Sequence, residues 1–440
     1  MVGGYTPRVL TLLATAALAG SAVGDALAAF EGVSAEEMHD RMSVQTAFTP
    51  DDAAAWWTLG WAAYQLRDFT GAVEAWDEVA ALDPSWRGLD FWRDAAAVRV
   101  ALNPGPVGGP PVVASPDGPA VLTVAAGGDT MLGNSLKNRV APGNGEGLLA
   151  AVVEPLSSAD LAFVNVESAI SDDLPSTKCG PQSTSCYAFR TPSRYTAALV
   201  GAGVDVVSHA NNHAMDLGEV GMLSTAAALD AAGIAHAGRY GDTAVLEVAG
   251  RTIAVVAAHS GECCLNVNDV NEVAAAIRAA DAVADLVLFS FHGGAEGSRA
   301  RRVPGRVEVA WGERRGDVRL LARHAVESGA DLVIGHGPHV LRGMEVWQGR
   351  LIAYSLGNLV GYRQFGTKGG FTGTSAVLEV ELASNGAVTG GRVHPLLLDE
   401  EAVPQEDHSG RAWKQLTELA GLDFPTTGVT VSEAGRLVLP

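Results

Sequence analysis

The stretch GADLVIGHGPHV, residues 329–340, carries two imidazoles three residues apart, His336 and His339, just after the apolar run Leu332-Val333-Ile334. Two histidines on a loop that follows a buried strand can both face one metal ion. Gly335 and Gly337 let the backbone come close, and Pro338 stiffens the turn. Taken alone, the pair has a plain reading as hydrogen-bonded loop residues. It gains weight because metal-ligand types recur where other strands should end. These are Asp129 in GGDTMLG, Glu167 after Asn165-Val166, Asn211-Asn212-His213 after VDVVSHA, and His292 after DLVLFSF.

Mixed carboxylate, amide and imidazole donors suit Mn, Fe or Zn better than a soft thiolate site would. Strand ends of an α/β sheet are where such sites lie. Two ions about 4 Å apart would need roughly this many ligands, with Asp129 or Glu167 bridging. Each member also has a structural reading: Asp129 as a turn cap, Glu167 paired with a base, Asn211 and Asn212 as turn formers, His213 and His292 as packing residues. His209 is read as packing only. The recurrence of the set, more than any member, points to a site.

The elements that must position these residues are short β-branched runs alternating with Ala-rich helices from 120 to about 400. Strands are expected over 121–129, 159–167, 204–213 and 285–294, and hairpins over 244–259 and 345–358. Helices are expected over 193–201, 219–232 and 316–328, with another after Asp269 as N-cap. Asn385-Gly386 marks a tight turn between two alternating strands. This mixture of βαβ units and hairpins predicts a two-sheet α/β sandwich with outer helices. Residues 401–440 form a C-terminal tail with one helix, Arg411 to Ala420, and a final strand.

Ahead of this region, residues 31–103 are helical in pattern. They resemble a tetratricopeptide repeat through Trp56, Leu59, Gly60, Ala72, Trp76 and Pro84, although Ala63 stands where that pattern prefers Tyr. One such unit cannot bury its apolar face alone. It is either a docking surface for a protein partner or a helical cap on the main domain. Residues 104–119, rich in Pro and Gly, are a linker.

Fifty acidic against thirty basic residues give a formal net charge of -20 over 440 residues. That surface repels nucleic acid and anionic membrane. The first 28 residues have Arg8, an apolar Val9 to Ala19 and Ala26-Leu27-Ala28, a secretory signal pattern cut after Ala28; an uncleaved anchor is the other reading. No later run is long enough to span a membrane, so export to the periplasm, cell envelope or exterior is expected. Four cysteines allow three pairings, and proximity favours Cys179 with Cys186.

Residues 120–400 resemble the CapA/PgsA-like poly-γ-glutamate capsule-synthesis family. The matching segments are GGDTMLG, FVNVESAIS, DVVSHANNHAMDLGEVGM, SFHGGAEG and the run from Gly329 to Asn358, in that order. The resemblance implies a calcineurin-like metallophosphoesterase fold, a four-layer α/β/β/α sandwich. By matching motif it implies Asp129, Glu167, Asn212, His292, His336 and His339 as ligands of one or two divalent ions. His213 would be the acid that protonates a leaving group. Asn211, Ser355 and Asn358 would support the ligands by hydrogen bonds. Arg190 would bind a substrate carboxylate or phosphate, or is a surface residue. Several positions depart from the superfamily pattern: Met131 replaces His of D-x-H, Glu167 replaces Asp, His209 replaces an apolar residue and Gly293 replaces Trp.

Three functions are open at this point. The chain is an exported metal-dependent hydrolase or transferase acting on an envelope polymer, peptide or phosphoester. Or it is a non-catalytic assembly factor with a structural metal. Or it is a broad metallophosphatase.

Overall fold

The computed structural model describes residues 33–86, 88–102, 117–118, 120–179, 186–240, 242–364 and 370–440. The signal segment 1–28 lies outside these, as does the linker apart from Asp117 and Gly118. The chain divides into two units. One comprises Met1–Asn103 with Asp173–Ala188 and Met215–Leu223; the other comprises Pro104–Asp172, Phe189–Ala214 and Ser224–Pro440.

The first unit contains α1 (Ala35–Phe48), α2 (Ala53–Gln65), α3 (Phe69–Leu82) and α4 (Leu89–Leu102). Ser34, Asp52 and Asp68 cap the first three by accepting from backbone N–H groups of the opening turn. Its core is aromatic: Trp57, Trp61, Tyr64, Trp76 and Trp92 are all buried. The rings meet largely edge to face, as with Trp61 on Trp92 at 4.6 Å between centroids. The added segments belong to the same packing, since Trp92 Nε1 donates to Glu219 Oε1 at 3.1 Å. The Cys179–Cys186 disulfide is present, as proximity predicts.

The second unit begins with β1 (Leu122–Met131), the middle of an eight-stranded sheet. A short helix, α5 (Val153–Ser157), leads to β2 (Leu161–Val166). Next come α6 (Thr196–Gly201), β3 (Val206–Ser208), α7 (Gly218–Ala231), which enters this unit at Ser224, and β4 (Ala235–Ala237). β1 to β4 run parallel in that order, with β4 at the edge. The chain then enters a seven-stranded sheet through β5 (Ala244–Val248), β6 (Arg251–His259) and β7 (Leu265–Asn266). Helix α8 (Val270–Asp281), capped by Asp269, leads to β8 (Leu286–His292), and α9 (Val318–Glu327) leads to β9 (Leu332–His336). β10 (Met344–Trp347) and β11 (Arg350–Ala353) close this sheet. β12 (Asn358–Gly361), β13 (Thr374–Leu382), β14 (Val388–Leu398) and β15 (Pro404–Glu406) return to the first.

The two sheets face each other, with Leu122, Val124 and Leu161 of one against Ile253, Leu288 and Leu332 of the other. Every residue of β8 is buried, since both faces of this parallel strand are covered, and it opens with the apolar run Leu286 to Phe289. Outside the first sheet, Leu156, Leu199 and Leu229 of α5, α6 and α7 pack on Ala162, Val164 and Val207. Helices α8 and α9 cover the second sheet. Helices, sheet, sheet and helices make the four-layer α/β/β/α sandwich. Helix α10 (Arg411–Asp423) packs against β10, β13 and β14, so the chain after 400 is part of this body.

Two boundaries differ from the sequence reading. The strand expected over 204–213 ends at Ser208, because the Asn211 amide turns back to bond Val166 O at 2.8 Å and Asn165 Oδ1 at 3.1 Å. The hairpin expected over 345–358 ends at Ala353. The YSLGN segment then crosses between sheets and delivers Asn358 to a strand beside β1.

Candidate metal centre

Two rows of three residues come together at the ends of parallel strands. In the first sheet, Asn165, Asp129 and Asn358 stand abreast on β2, β1 and β12. In the second, His259, His292 and His336 stand abreast on β6, β8 and β9. Gly128 is required for the first row. A Cβ there would sit 2.0 Å from Gly357 O, whereas Asp129 N now donates to that oxygen at 2.9 Å. His339 follows β9 in a left-handed conformation, φ 57°, which swings its ring back over the first sheet.

Asp129 is the hub. Its Oδ1 accepts from Asn165 Nδ2 at 2.9 Å and lies 3.5 Å from His336 Nδ1 and 3.9 Å from His292 Nδ1. Its Oδ2 lies 3.1 Å from His339 Nδ1. Glu167 is the second carboxylate. Its Oε1 is 3.6 Å from His339 Nε2, 3.8 Å from His292 Nε2 and 3.9 Å from His213 Nε2. Both carboxylates are fully buried, and neither oxygen of Glu167 has a hydrogen-bond donor among the described residues.

This geometry fits a cation. Donors that each sit about 2.1 Å from one ion are separated from one another by about 3.0–3.4 Å. Nitrogens gathered on a donorless buried carboxylate at 3.6–3.9 Å are too far for hydrogen bonds, yet close to ligand spacing. Asp129, Glu167 and His339 alone bring ligand atoms within 4.8 Å of one another. Two buried carboxylates this close need positive charge between them. Asp129, Glu167, His292, His336 and His339 could therefore hold a divalent ion.

The electrostatics agree. Burial would raise Asp129, but hydrogen bonds from His336 and His339 and the charges of His339 and His292 hold it well below the usual carboxylate range. Burial drives Glu167 well above that range, opposed by His339 and reinforced by Asp129. Burial lowers His292. Burial also disfavours charge on His339, yet the two carboxylates overcome it and push its pKa up to about 10. In the metal-free protein His339 is thus the countercharge between them.

The other expected residues fall as follows. Asn358 Oδ1 meets His339 Nδ1 at 2.9 Å and its Nδ2 donates to Thr372 O, so it orients that ring. Asn211 ties His213 N to Asn165, through its Oδ1 and Nδ2 respectively. His213 stacks on Phe189 at 4.1 Å. Asn212 lies half-buried in the same turn. Among the described residues Ser355 Oγ has no hydrogen bond to a histidine; it accepts from Gly357 N at 3.3 Å, which braces the turn between sheets. Arg190 Nε donates to Ser135 Oγ at 2.7 Å, fastening it to the loop after β1.

Three further residues lie near the candidate centre, and the sequence reading gives them no role. Asn165 lies two residues before Glu167, hence on the same strand face, and links Asp129 to His292 Nδ1 at 3.3 Å. His259 ends β6 as His292 ends β8, a signal visible in the run AVVAAH. Arg315 is buried between Glu296 and Glu313, and no local pattern announces it.

A profile described as bacterial capsule synthesis protein PGA_cap matches residues 123–363, more than half of the chain. The chain belongs to this family. The matched stretch contains every residue of the candidate centre. PGA biosynthesis protein CapA of Bacillus subtilis strain 168 is 29% identical over 303 residues, covering 64% of this chain and 73% of its own. Capsule biosynthesis protein CapA of Bacillus anthracis is 27% identical, with 68% and 73% covered. An uncharacterized protein of Sinorhizobium fredii is 24% identical over 319 residues, 54% of this chain; the match spans only 65% of that relative's length. A 5'-nucleotidase precursor from Thermus thermophilus superposes over 68% of this chain and 58% of its own, at 16% identity and a TM-score of 0.33, too loosely to bear on activity.

Proposed function

We propose that this chain works in making or trimming a bacterial capsule polymer, poly-γ-glutamate or a related envelope polymer, as an exported metal-dependent hydrolase or transferase. The observation that carries this reading is the donorless, buried Glu167 with imidazoles of His213, His292 and His339 gathered on it, beside Asp129. Capsule synthesis comes from the names of the family and of the two CapA relatives. Export is supported by the Cys179–Cys186 bond, which suits an oxidising compartment. Among the described residues no helix is long and apolar enough to cross a membrane.

The ion, Mn, Fe or Zn by its mixed donors, would lower the pKa of a water toward ~7 and polarise a carbonyl or phosphoryl oxygen. Asp129, Glu167, His292, His336 and His339 would hold it, with Asn212 as a further donor from the neighbouring turn. Asn358 and Asn165 fix ring and carboxylate orientations. His213, at the edge of the cluster and steadied by Phe189, protonates the leaving group. Arg190 receives a carboxylate or phosphate of the substrate. The helical unit docks a protein partner: Val44 and Phe48, one turn apart on α1, are 58% and 83% exposed.

A second reading, an assembly factor with a structural ion, is favoured by how closed the site is. Asp129, Glu167, His292 and His336 are each no more than 1% exposed. The test is amine release from poly-γ-glutamate by the Mn-loaded full chain, alongside p-nitrophenyl phosphate. Turnover of the polymer that falls by about 100-fold or more in His213→Ala, with metal retained, supports the enzyme. Full metal occupancy without turnover of either substrate favours the assembly factor. Turnover of the phosphate ester alone favours a phosphatase.

A further inference from the structure

A second group of metal-ligand types lies at the edge of the first sheet, apart from the centre described above. His209 follows β3 directly and His236 is the middle residue of the edge strand β4. Asp242 lies in the turn that follows β4. One ligand atom from each of the three lies within 4.8 Å of the others. The two rings meet edge to face, 5.3 Å between centroids.

His209 is 1% exposed, and neither ring nitrogen has a hydrogen-bond partner among the described residues. His236 Nδ1 is likewise buried without one, while its Nε2 lies 3.2 Å from Asp230 Oδ1 at the surface. A buried polar atom left without a partner costs about 1–3 kcal/mol, and a leucine of similar size would avoid that cost at position 209. The surroundings also make room for the imidazole: a Cβ on Gly238 would sit 2.5 Å from His209 Cδ2. Burial, with His236 and Arg239 nearby, pushes His209 down to about 3, so the ring is neutral and able to donate a lone pair. Asp242 is held from the other side by Arg239, with Nη2 3.3 Å from its Oδ1, which positions the carboxylate.

We propose that His209, His236 and Asp242 form a second divalent-cation site, selective for zinc-like ions. Two imidazoles and one carboxylate are a nitrogen-rich, borderline donor set that Mg²⁺ and Ca²⁺ do not prefer. Three protein ligands leave one tetrahedral position for water. The ion fastens the edge strand β4 and the turn after it to His209 at the end of β3, two residues ahead of the Asn211-Asn212-His213 turn. The proposal does not depend on the proposed function, since it rests on residues outside the first centre.

The test is zinc stoichiometry of the chelator-stripped full chain, by calorimetric titration with Zn²⁺ alone. The intact chain should bind one equivalent more than His236→Ala, Asp242→Asn or His209→Leu. His209→Leu removes the ligand while filling the core, so it also covers loss of folding as a cause. In a His336→Ala background, zinc binding that remains should disappear when His236→Ala is added. Equal stoichiometry in the intact chain and all three single variants would overturn the proposal. So would binding in the His336→Ala chain that survives His236→Ala.

Discussion

At the scale of residues, the centre is decided by what surrounds two carboxylates. Asn358 acts through His339: it fixes the ring by a 2.9 Å hydrogen bond to Nδ1 and thereby aims Nε2 at Glu167. Removing such a partner costs roughly 10–100-fold in metal affinity. Asn358→Ala should therefore weaken Mn²⁺ or Zn²⁺ binding by about that factor in a direct titration, with the fold unchanged by circular dichroism. His339 supplies the pH dependence. Its pKa in the metal-free chain is about 10, so near neutral pH it carries a proton that a ligand must shed. Metal uptake should release that proton, and affinity should rise with pH toward about 10. Titration in two buffers of different ionisation enthalpy measures the release; uptake with no proton release would show that His339 stays protonated and is not a ligand.

At the scale of elements, the centre exists because strands from two sheets end at one place. The YSLGN crossing carries the chain from β11 to β12 and sets Asn358 beside Asp129. That crossing needs Gly128: with its Cβ position 2.0 Å from Gly357 O, any side chain must push β1 and β12 apart. Gly128→Ala should lower thermal stability by several degrees and lose most bound metal, measured by melting and elemental analysis. Much of this was legible in the sequence. Asp129, Glu167, His292 and His336 stand at ends of apolar runs that read as strands, and Asp269 was legible as a cap. Asn358 was placed near a histidine, but its strand was not, because a crossing between sheets has no local signature. The hydroxyl of Ser355 serves that turn, which likewise has no local signature. His209 reads as packing, and its ring is buried; its proximity to His236 and Asp242 arises only across the sheet and has no local sequence signature.

At the scale of the whole molecule, charge sets what can approach. A formal net charge of -20 repels a polyanion at long range. If poly-γ-glutamate is the substrate, attraction must come from the centre and from local groups such as Arg190. Association with the polymer should then strengthen as salt rises from about 0.01 to 0.15 M, where the screening length falls from about 30 to 8 Å. Binding that weakens over that range, followed by light scattering or anisotropy, would mean that a basic surface guides the polymer. The aromatic helical unit is built separately, around its own tryptophans and disulfide. Among the described residues, the groups of metal-ligand types lie in the sandwich.

The central claim is that one divalent ion sits between Asp129 and Glu167. Anomalous diffraction at the metal edge, from crystals of the full chain grown with Mn²⁺ or Zn²⁺, tests it most directly. The account predicts a peak within about 2.0–2.3 Å of Asp129, Glu167 and the imidazoles of His292, His336 and His339. The account is contradicted if fully loaded crystals show no peak there and the His339 ring still lies between the two carboxylates.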